Sequence, residues 1–587
     1  MESQFHKIYD RKWVQILILL GFCYFLYFFN LGLWDLWVPD EPKYAQVAKE
    51  MVNGGDWILM HFNGAVYGDK PPLFFWLIAL SSYVWQGFSS FSVRFPSAVF
   101  GTLTVLLTFL MGKRLYSSRT GFLSALILAT SVHFIYLSTR ANIDVTLTFF
   151  TTTSLFCFFL WYGYGSEKGL NENRHLESLL ILRRRQTPAF RTGSTAPLSI
   201  NPEQTPGFRP GIAEGLIYGF YVSMAFATLA KGPIGFILPL LVSLIFLFTQ
   251  KDYKQIKRMK LLPGIPLLVA IVLAWYVPAV LSGGKAYVEE NLLRHTAEAY
   301  AKGWTHPRPI YYYFYTFPAA FLPWIFFLPG AIAQGLSKSM TGKRKGFLFF
   351  LVWFAVIFTF FSLSKSKRDL YLLPVFPAVS LMVGKFWDDF ISHPLDRYWR
   401  RWIIFPLFGI VGFGLIAGVA LPYVASIKFP SYFPSILPVA VMSAGCSIAL
   451  LIFCRFKNYR AILLLLIGMM VGESFYASRV IFPAVNPQMT ARLMAEEIKS
   501  RIQPGDKLAT YRGIGVDPYN YYTGIVPIPM IHTEAALLDF LRSSERVFCL
   551  LRLNDFSELF NKEGKPKVVL IARRRVRRDD VVLISNR

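Results

Sequence analysis

Apolar runs long enough to cross a lipid bilayer recur along most of this chain, and they constrain its fold more than any other feature. They lie near 13–33, 95–112, 121–139, 145–163, 215–230, 234–249, 261–281, 310–330, 346–363, 370–386, 402–421, 434–453 and 461–477. About thirteen transmembrane helices are predicted, an all-α polytopic membrane protein. With 54% of its 587 residues hydrophobic and only 16% charged, the chain cannot hide that much apolar surface in one soluble core. Five widely spaced cysteines show neither metal-ligand spacing nor a disulfide framework.

The formal charge of +26 would suggest nucleic acid in a soluble protein, but in a membrane protein Lys and Arg gather in cytoplasmic loops. The basic clusters fall in alternate gaps between runs: Lys113, Arg114 and Arg119; Arg183, Arg184 and Arg185; Lys251 to Lys260; Lys343, Arg344 and Lys345; Arg397, Arg400 and Arg401; Arg455, Lys457 and Arg460. The basicity therefore reads as topology, with the N-terminus cytoplasmic and no nucleic-acid partner. Lys7, Arg11 and Lys12 before the first run resemble a signal peptide in charge order, but the run is too long and lacks a small-residue cleavage site. It reads as an uncleaved first span. Counting Leu73 to Trp85 as a span would put the Lys113 to Arg119 loop outside. Short, Trp-bearing and opened by Pro71 and Pro72, it is expected along the outer interface instead.

Two stretches differ in composition. The loop 166–214 is polar and rich in Arg, Pro, Ser and Thr, and reads as a weakly ordered cytoplasmic connection. After the last run, 481–587 holds a helical stretch near 490–501 and β-branched runs at Val547 to Leu551, Val568 to Ile571 and Val581 to Ile584. The expected division is a membrane domain over 1–480, with a first periplasmic loop at 34–94, and a small periplasmic α/β domain over 481–587.

Cations on the outer face break the positive-inside rule and need another reason to be there. They are Lys70, Arg140, Lys231, Arg294, Lys365, Lys367 and Arg368; Asp40, Glu41, Asp69 and Asp144 stand on the same face, with Tyr371 closing Ser-Lys-Arg-Asp-Leu-Tyr. Acids, cations and a phenol thus converge on one membrane surface from several loops. Each has a plainer reading. Asp40-Glu41-Pro42 is a good helix start; Asp69-Lys70-Pro71-Pro72 is a turn; Asp144 and Arg140 suit an i,i+4 pair; Lys231 suits a snorkelling helix end; the remaining cations suit headgroup anchors.

The stretch Trp-Val-Pro-Asp-Glu-Pro-Lys-Tyr-Ala (37–45), with Gly-Asp-Trp (55–57), His-Phe-Asn-Gly (61–64) and Asp-Lys-Pro-Pro-Leu (69–73), resembles the first outer loop of the aminoarabinose transferase and protein O-mannosyltransferase superfamily, membrane glycosyltransferases of GT-C type. Ser-Thr-Arg-Ala-Asn-Ile-Asp (138–144), Ala-Lys-Gly-Pro (230–233), Glu-Asn-Leu-Leu-Arg (290–294) and Tyr-Leu-Leu-Pro (371–374) follow in the family's order. The resemblance implies a transferase in the bacterial cytoplasmic membrane with a periplasmic site. It implies a polyprenyl phosphate sugar as donor and lipid A, another envelope glycan or a protein hydroxyl as acceptor. Carried over, Asp40 is the principal catalytic carboxylate with Asp144 second and Glu41 beside it. Lys70, Arg294 and Tyr371 bind the carrier phosphate, and Lys231, Asp69, Arg140 and Arg368 support them. Some aminoarabinose transferases have a His three residues before that Arg, where a metal has been proposed; Asn291 stands there, so the resemblance gives a divalent metal no firm place. A transporter is the competing class, but it would place charges near the midplane, often in repeated halves.

Overall fold

The computed structural model describes residues 12–165, 210–288, 306–337, 344–392, 397–560 and 567–587. Among the described residues nine helices are long and apolar enough to cross a bilayer, and two bent pairs bring the number to eleven. The protein is a multi-pass membrane protein whose helices coincide with the expected runs. A count of thirteen also requires two shorter helices, Lys12–Phe28 and Ile234–Thr249. Leu73–Val84 has 12 residues, about 18 Å of helix at the usual rise, too short to cross. Residues 166–209 of the expected 166–214 loop and Lys343 lie outside the described residues, and 210–214 already belong to the helix Pro210–Lys231.

Two runs that read as straight spans are broken. Ser118–Ala129 turns by 69° into Val132–Ser138, and Tyr312–Ala320 turns by 109° into Trp324–Leu336. At the first break the Thr130 and Ser131 hydroxyls donate to the Leu126 and Ile127 carbonyls at 2.6 and 2.8 Å, and Trp324 Nε1 donates to Thr130 Oγ1 at 3.1 Å. Backbone groups freed inside lipid are thereby satisfied within the protein. At the second break Pro323 removes a backbone donor. Neighbouring helices meet through small residues: a Cβ on Gly112 would lie 2.7 Å from the Gly121 Cα, and one on Gly384 2.8 Å from the Ser124 Cα. Such close approach replaces the hydrophobic drive that lipid cannot supply.

The first loop carries its own helix, Asp40–Gly54, closed by Gly55 in the left-handed conformation (φ 73°). It packs against Leu73–Val84 in a separate core with Tyr44, Phe74 and Phe75. The long helix Ser90–Leu115 starts at a reciprocal cap in which Ser89 Oγ accepts from Ser92 N–H at 3.1 Å and Ser92 Oγ from Ser89 N–H at 2.8 Å.

Helical structure continues through a π turn at Ala477–Ile481 to Met489, so the fold changes near 490 rather than at the expected 481. Beyond it, helix Arg492–Arg501 precedes a five-stranded sheet in the order Met530–Ile531, Lys507–Tyr511, Val547–Arg552, Asp579–Ser585, Val569–Val576. The first three strands are parallel and the last two join antiparallel. Phe548, Leu550 and Leu583 fill the core on one face, and Cys549, Leu551 and Ile584 that on the other. Burial on both faces explains the near-continuous apolar runs of the central strands. The domain docks on the first loop. Tyr522 OH accepts from Leu36 N–H at 2.9 Å, Tyr521 OH donates to Phe88 O at 3.0 Å, and Asn63 bridges Ile528 in both directions at 2.9 and 2.8 Å.

Candidate active site

The loop helix Asp40–Gly54 sets two neighbouring carboxylates on opposite duties. Asp40, its first residue, accepts from the Arg368 guanidinium at 2.6 Å, with both side chains about 30% exposed (31% and 29%). Burial opposes the charge on Arg368, but Asp40, Tyr44 and Tyr371 together raise its pKa above the usual range. Glu41 points the other way and is buried. Its carboxylate accepts from Arg94 at 2.7 and 2.9 Å, Arg140 at 2.9 Å, and the Trp37 and Ala141 backbone N–H groups, each at 2.9 Å. Burial pushes the Glu41 carboxyl up, but Arg140 and Arg94 pull it down to about 2. With its acceptors occupied by five donors, Glu41 is a strut joining the first loop to the 138–144 segment, and it does not face the cluster around Asp40 as its expected catalytic role requires.

Arg140 belongs to the same strut, stacked 4.9 Å over Trp37 and donating to Tyr136 OH at 2.7 Å. Asp144 pairs with Lys231 rather than with Arg140, across from the end of the helix Pro210–Lys231. Lys231 Nζ lies 4.3 Å over the Tyr371 ring, so Asp144, Lys231 and Tyr371 form one contact chain. Lys231 also feels the charges of Lys70 and Arg368. Tyr44 sits among the acids; burial first, then Asp40, raises its pKa well above normal, and Asp69 and Asp144 act in the same direction. Asp69 holds Lys70 at 2.5 Å, Lys43 at 3.5 Å and the Tyr67 hydroxyl at 3.2 Å.

The structure thus brings Asp40, Arg368, Asp144, Lys231, Tyr371, Asp69 and Lys70 to the end of the helical bundle that carries the C-terminal domain. Arg294 and Asn291 lie outside the described residues. Among the described residues no group of three His, Cys, Asp or Glu side chains has metal-holding geometry. Four participants went unread in the sequence. Lys43 and Tyr44 lie on the loop helix, Arg94 is a fully buried cation in the first turns of the helix Ser90–Leu115, and Asp517 comes from the C-terminal domain. Asp517 feels Lys43, Asp40 and Asp69, and burial raises its pKa. Arg94 carried a legible signal, since it stands at the edge of the 95–112 run, at the end opposite the basic Lys113 to Arg119 loop.

Such an array is suited to holding an anion. Lys70 and Lys231 are point charges, Arg368 is a planar fork, and each is steadied by a carboxylate that a stronger phosphate anion can relieve. Fixed charges of this kind act where negative charge grows during bond cleavage.

The chain is similar to known proteins in sequence and in fold. The family described as dolichyl-phosphate-mannose-protein mannosyltransferase matches residues 12–181. An uncharacterized protein of Aquifex aeolicus is 28% identical over 83% of this chain and 82% of its own length. An undecaprenyl phosphate-alpha-4-amino-4-deoxy-L-arabinose arabinosyl transferase of Pseudomonas fluorescens is 28% identical over 64% of this chain, and the match spans 60% of that transferase. The crystal structure of ArnT from Cupriavidus metallidurans bound to undecaprenyl phosphate superposes with a TM-score of 0.76 at 18% identity, covering 98% of each chain. In fold and in sequence the chain is similar to membrane glycosyltransferases of the GT-C superfamily.

Proposed function

We propose that this protein moves 4-amino-4-deoxy-L-arabinose from undecaprenyl phosphate to lipid A at the periplasmic face of a bacterial cytoplasmic membrane, with the N-terminus cytoplasmic and the C-terminal domain periplasmic. The observation that carries the reading is the gathering of Asp40–Arg368 and Asp144–Lys231–Tyr371 at one end of the bundle, beside Lys70. The names of the Pseudomonas relatives and the undecaprenyl phosphate bound to the Cupriavidus protein support the choice of donor.

In the reaction the bond between the sugar's anomeric carbon and the carrier phosphate oxygen breaks, and an acceptor oxygen forms the new bond at that carbon. The electron pair leaves with undecaprenyl phosphate. A phosphate is a good leaving group, so the step needs positive charge more than a strong general acid. Lys70 and Arg294 receive the carrier phosphate, Tyr371 flanks it, and Lys231, held by Asp144, sets the field around it. Asp40, fixed by Arg368, orients the sugar or acceptor, and takes the proton if the acceptor is a hydroxyl. A single in-line displacement of this kind inverts the anomeric configuration.

The test is transfer by purified protein in nanodiscs, offered lipid A and a panel of undecaprenyl phosphate sugars. Aminoarabinose should appear on lipid A with matching release of undecaprenyl phosphate. Turnover with a hexose donor and a protein or glycan acceptor alone would overturn the assignment.

A further inference from the structure

Beside this site lies a second group of cations that the proposed chemistry does not use. His306–Pro309 runs antiparallel to Ser364–Lys367: Pro307 bridges Ser366, Arg308 N–H donates to Lys365 O at 3.2 Å, and Lys367 N–H donates to His306 O at 3.1 Å. Lys367 is buried, and its ammonium holds the bridge from within through the Arg308 carbonyl at 3.1 Å and the Ser364 carbonyl. Arg308 and Lys365 are left exposed. The turn between the last two strands of the C-terminal domain brings in Arg577, whose N–H donates to Gln488 O at 2.5 Å. Its charge reaches the bridge. Burial, then Arg368, Arg308 and Arg577, hold the His306 imidazole below its usual range against the opposing pull of Asp40.

Little negative charge answers these cations. Asp40 is committed to Arg368, which leaves the half-exposed Asp369, felt together with Arg308 by Tyr312, as the neighbouring carboxylate on this segment. Arg308, Lys365 and Arg577 make no ion pair among the described residues. Backbone bonding therefore holds like charges together on two separate parts of the fold, an arrangement that an anion stabilises. The surface next to Arg308 is aromatic and open. Ile310, Tyr311, Phe314 and Tyr315 are 60, 61, 68 and 54% exposed, and the Arg308 guanidinium lies 5.8 Å over the Tyr312 ring. Exposed Tyr and Phe beside fixed cations are the composition of a membrane-headgroup boundary.

We propose that Arg308, Lys365 and Arg577 form a docking site for the phosphate of an outer-leaflet lipid with a saccharide headgroup, holding the acceptor next to Asp40. Lys365 stands three residues before Arg368 on the same segment, so a headgroup phosphate seated there puts the attached sugar beside the Asp40–Arg368 pair. Arg577 gives the C-terminal domain a direct part in acceptor capture. The proposal rests on the acceptor assigned above, and binding separates the two.

The experiment measures binding of lipid A, and of the same lipid with its phosphates removed, to the full-length protein in nanodiscs, alongside undecaprenyl phosphate as a control for folding. Charge reversal at both positions, Arg308→Glu with Arg577→Glu, should weaken lipid A binding by roughly tenfold or more and flatten its salt dependence. It should raise the acceptor KM with little change in kcat and leave undecaprenyl phosphate affinity at the wild-type value. Equal wild-type affinity for the dephosphorylated lipid, or unchanged lipid A binding in the variant, would overturn the site. Phosphate-dependent lipid A binding without any aminoarabinose transfer would instead retire the proposed function and leave the docking site standing.

Discussion

Glu41 and Asp40 are adjacent in sequence and opposite in surroundings, and the difference decides what each contributes. Glu41 is bound to two guanidiniums and two backbone N–H groups in a site from which water is excluded. Removing one member of a buried ionic network leaves the others uncompensated, commonly at a cost of about 3–5 kcal/mol. Glu41→Gln is therefore expected to lower the melting temperature in detergent at neutral pH. Because burial and the two arginines leave the folded carboxyl at about 2, below its ordinary 4.5, the stabilisation is complete above about pH 4.5 and is lost as pH falls toward 2. Melting curves of wild type and Glu41→Gln should converge across that window; a gap of constant size would mean the charge of Glu41 is irrelevant. That Asp40 and Asp144 share one end of the bundle was legible, because the alternation of basic loops sets both in gaps of the same side. The inward turn of Glu41 was not, since which way a helix-start carboxylate faces depends on Arg94 and Arg140, tens of residues away in sequence.

At the scale of elements, the first loop and the C-terminal domain work as one piece. Asn63 imitates a strand neighbour, giving a hydrogen bond to the Ile528 carbonyl and taking one from its N–H. Replacing it with Ala leaves both backbone groups to find water, at about 1–3 kcal/mol. Asn63→Ala should make the C-terminal domain more sensitive to limited proteolysis and slow transfer while the membrane helices keep their melting temperature. Unchanged proteolysis would show that the docking stands without that bridge. Helices were readable from apolar length, and three strands from their β-branched runs. The strands Met530–Ile531 and Lys507–Tyr511 were missed because the first has only two residues and the second carries Lys507 and Thr510 among its five. The break at 130 was also hidden, because the Thr130 and Ser131 hydroxyls bond the carbonyls of the interrupted turn.

For the molecule as a whole, orientation joins the charges of the loops to the place of the chemistry. Reporter fusions after Ser166 and after Arg587 should report opposite sides of the membrane, the first cytoplasmic and the second periplasmic. Reports from the same side would break the common face on which the donor reading depends. If Asp40 works on a lipid-linked sugar held by fixed cations, Asp40→Asn should separate binding from transfer in the reconstituted assay, with undecaprenyl phosphate binding measured in parallel. The folded variant should bind undecaprenyl phosphate normally and transfer about a hundredfold more slowly or worse, since misplacing a reacting group by about 1 Å has that effect. Transfer at the wild-type rate by a folded Asp40→Asn protein would contradict that role.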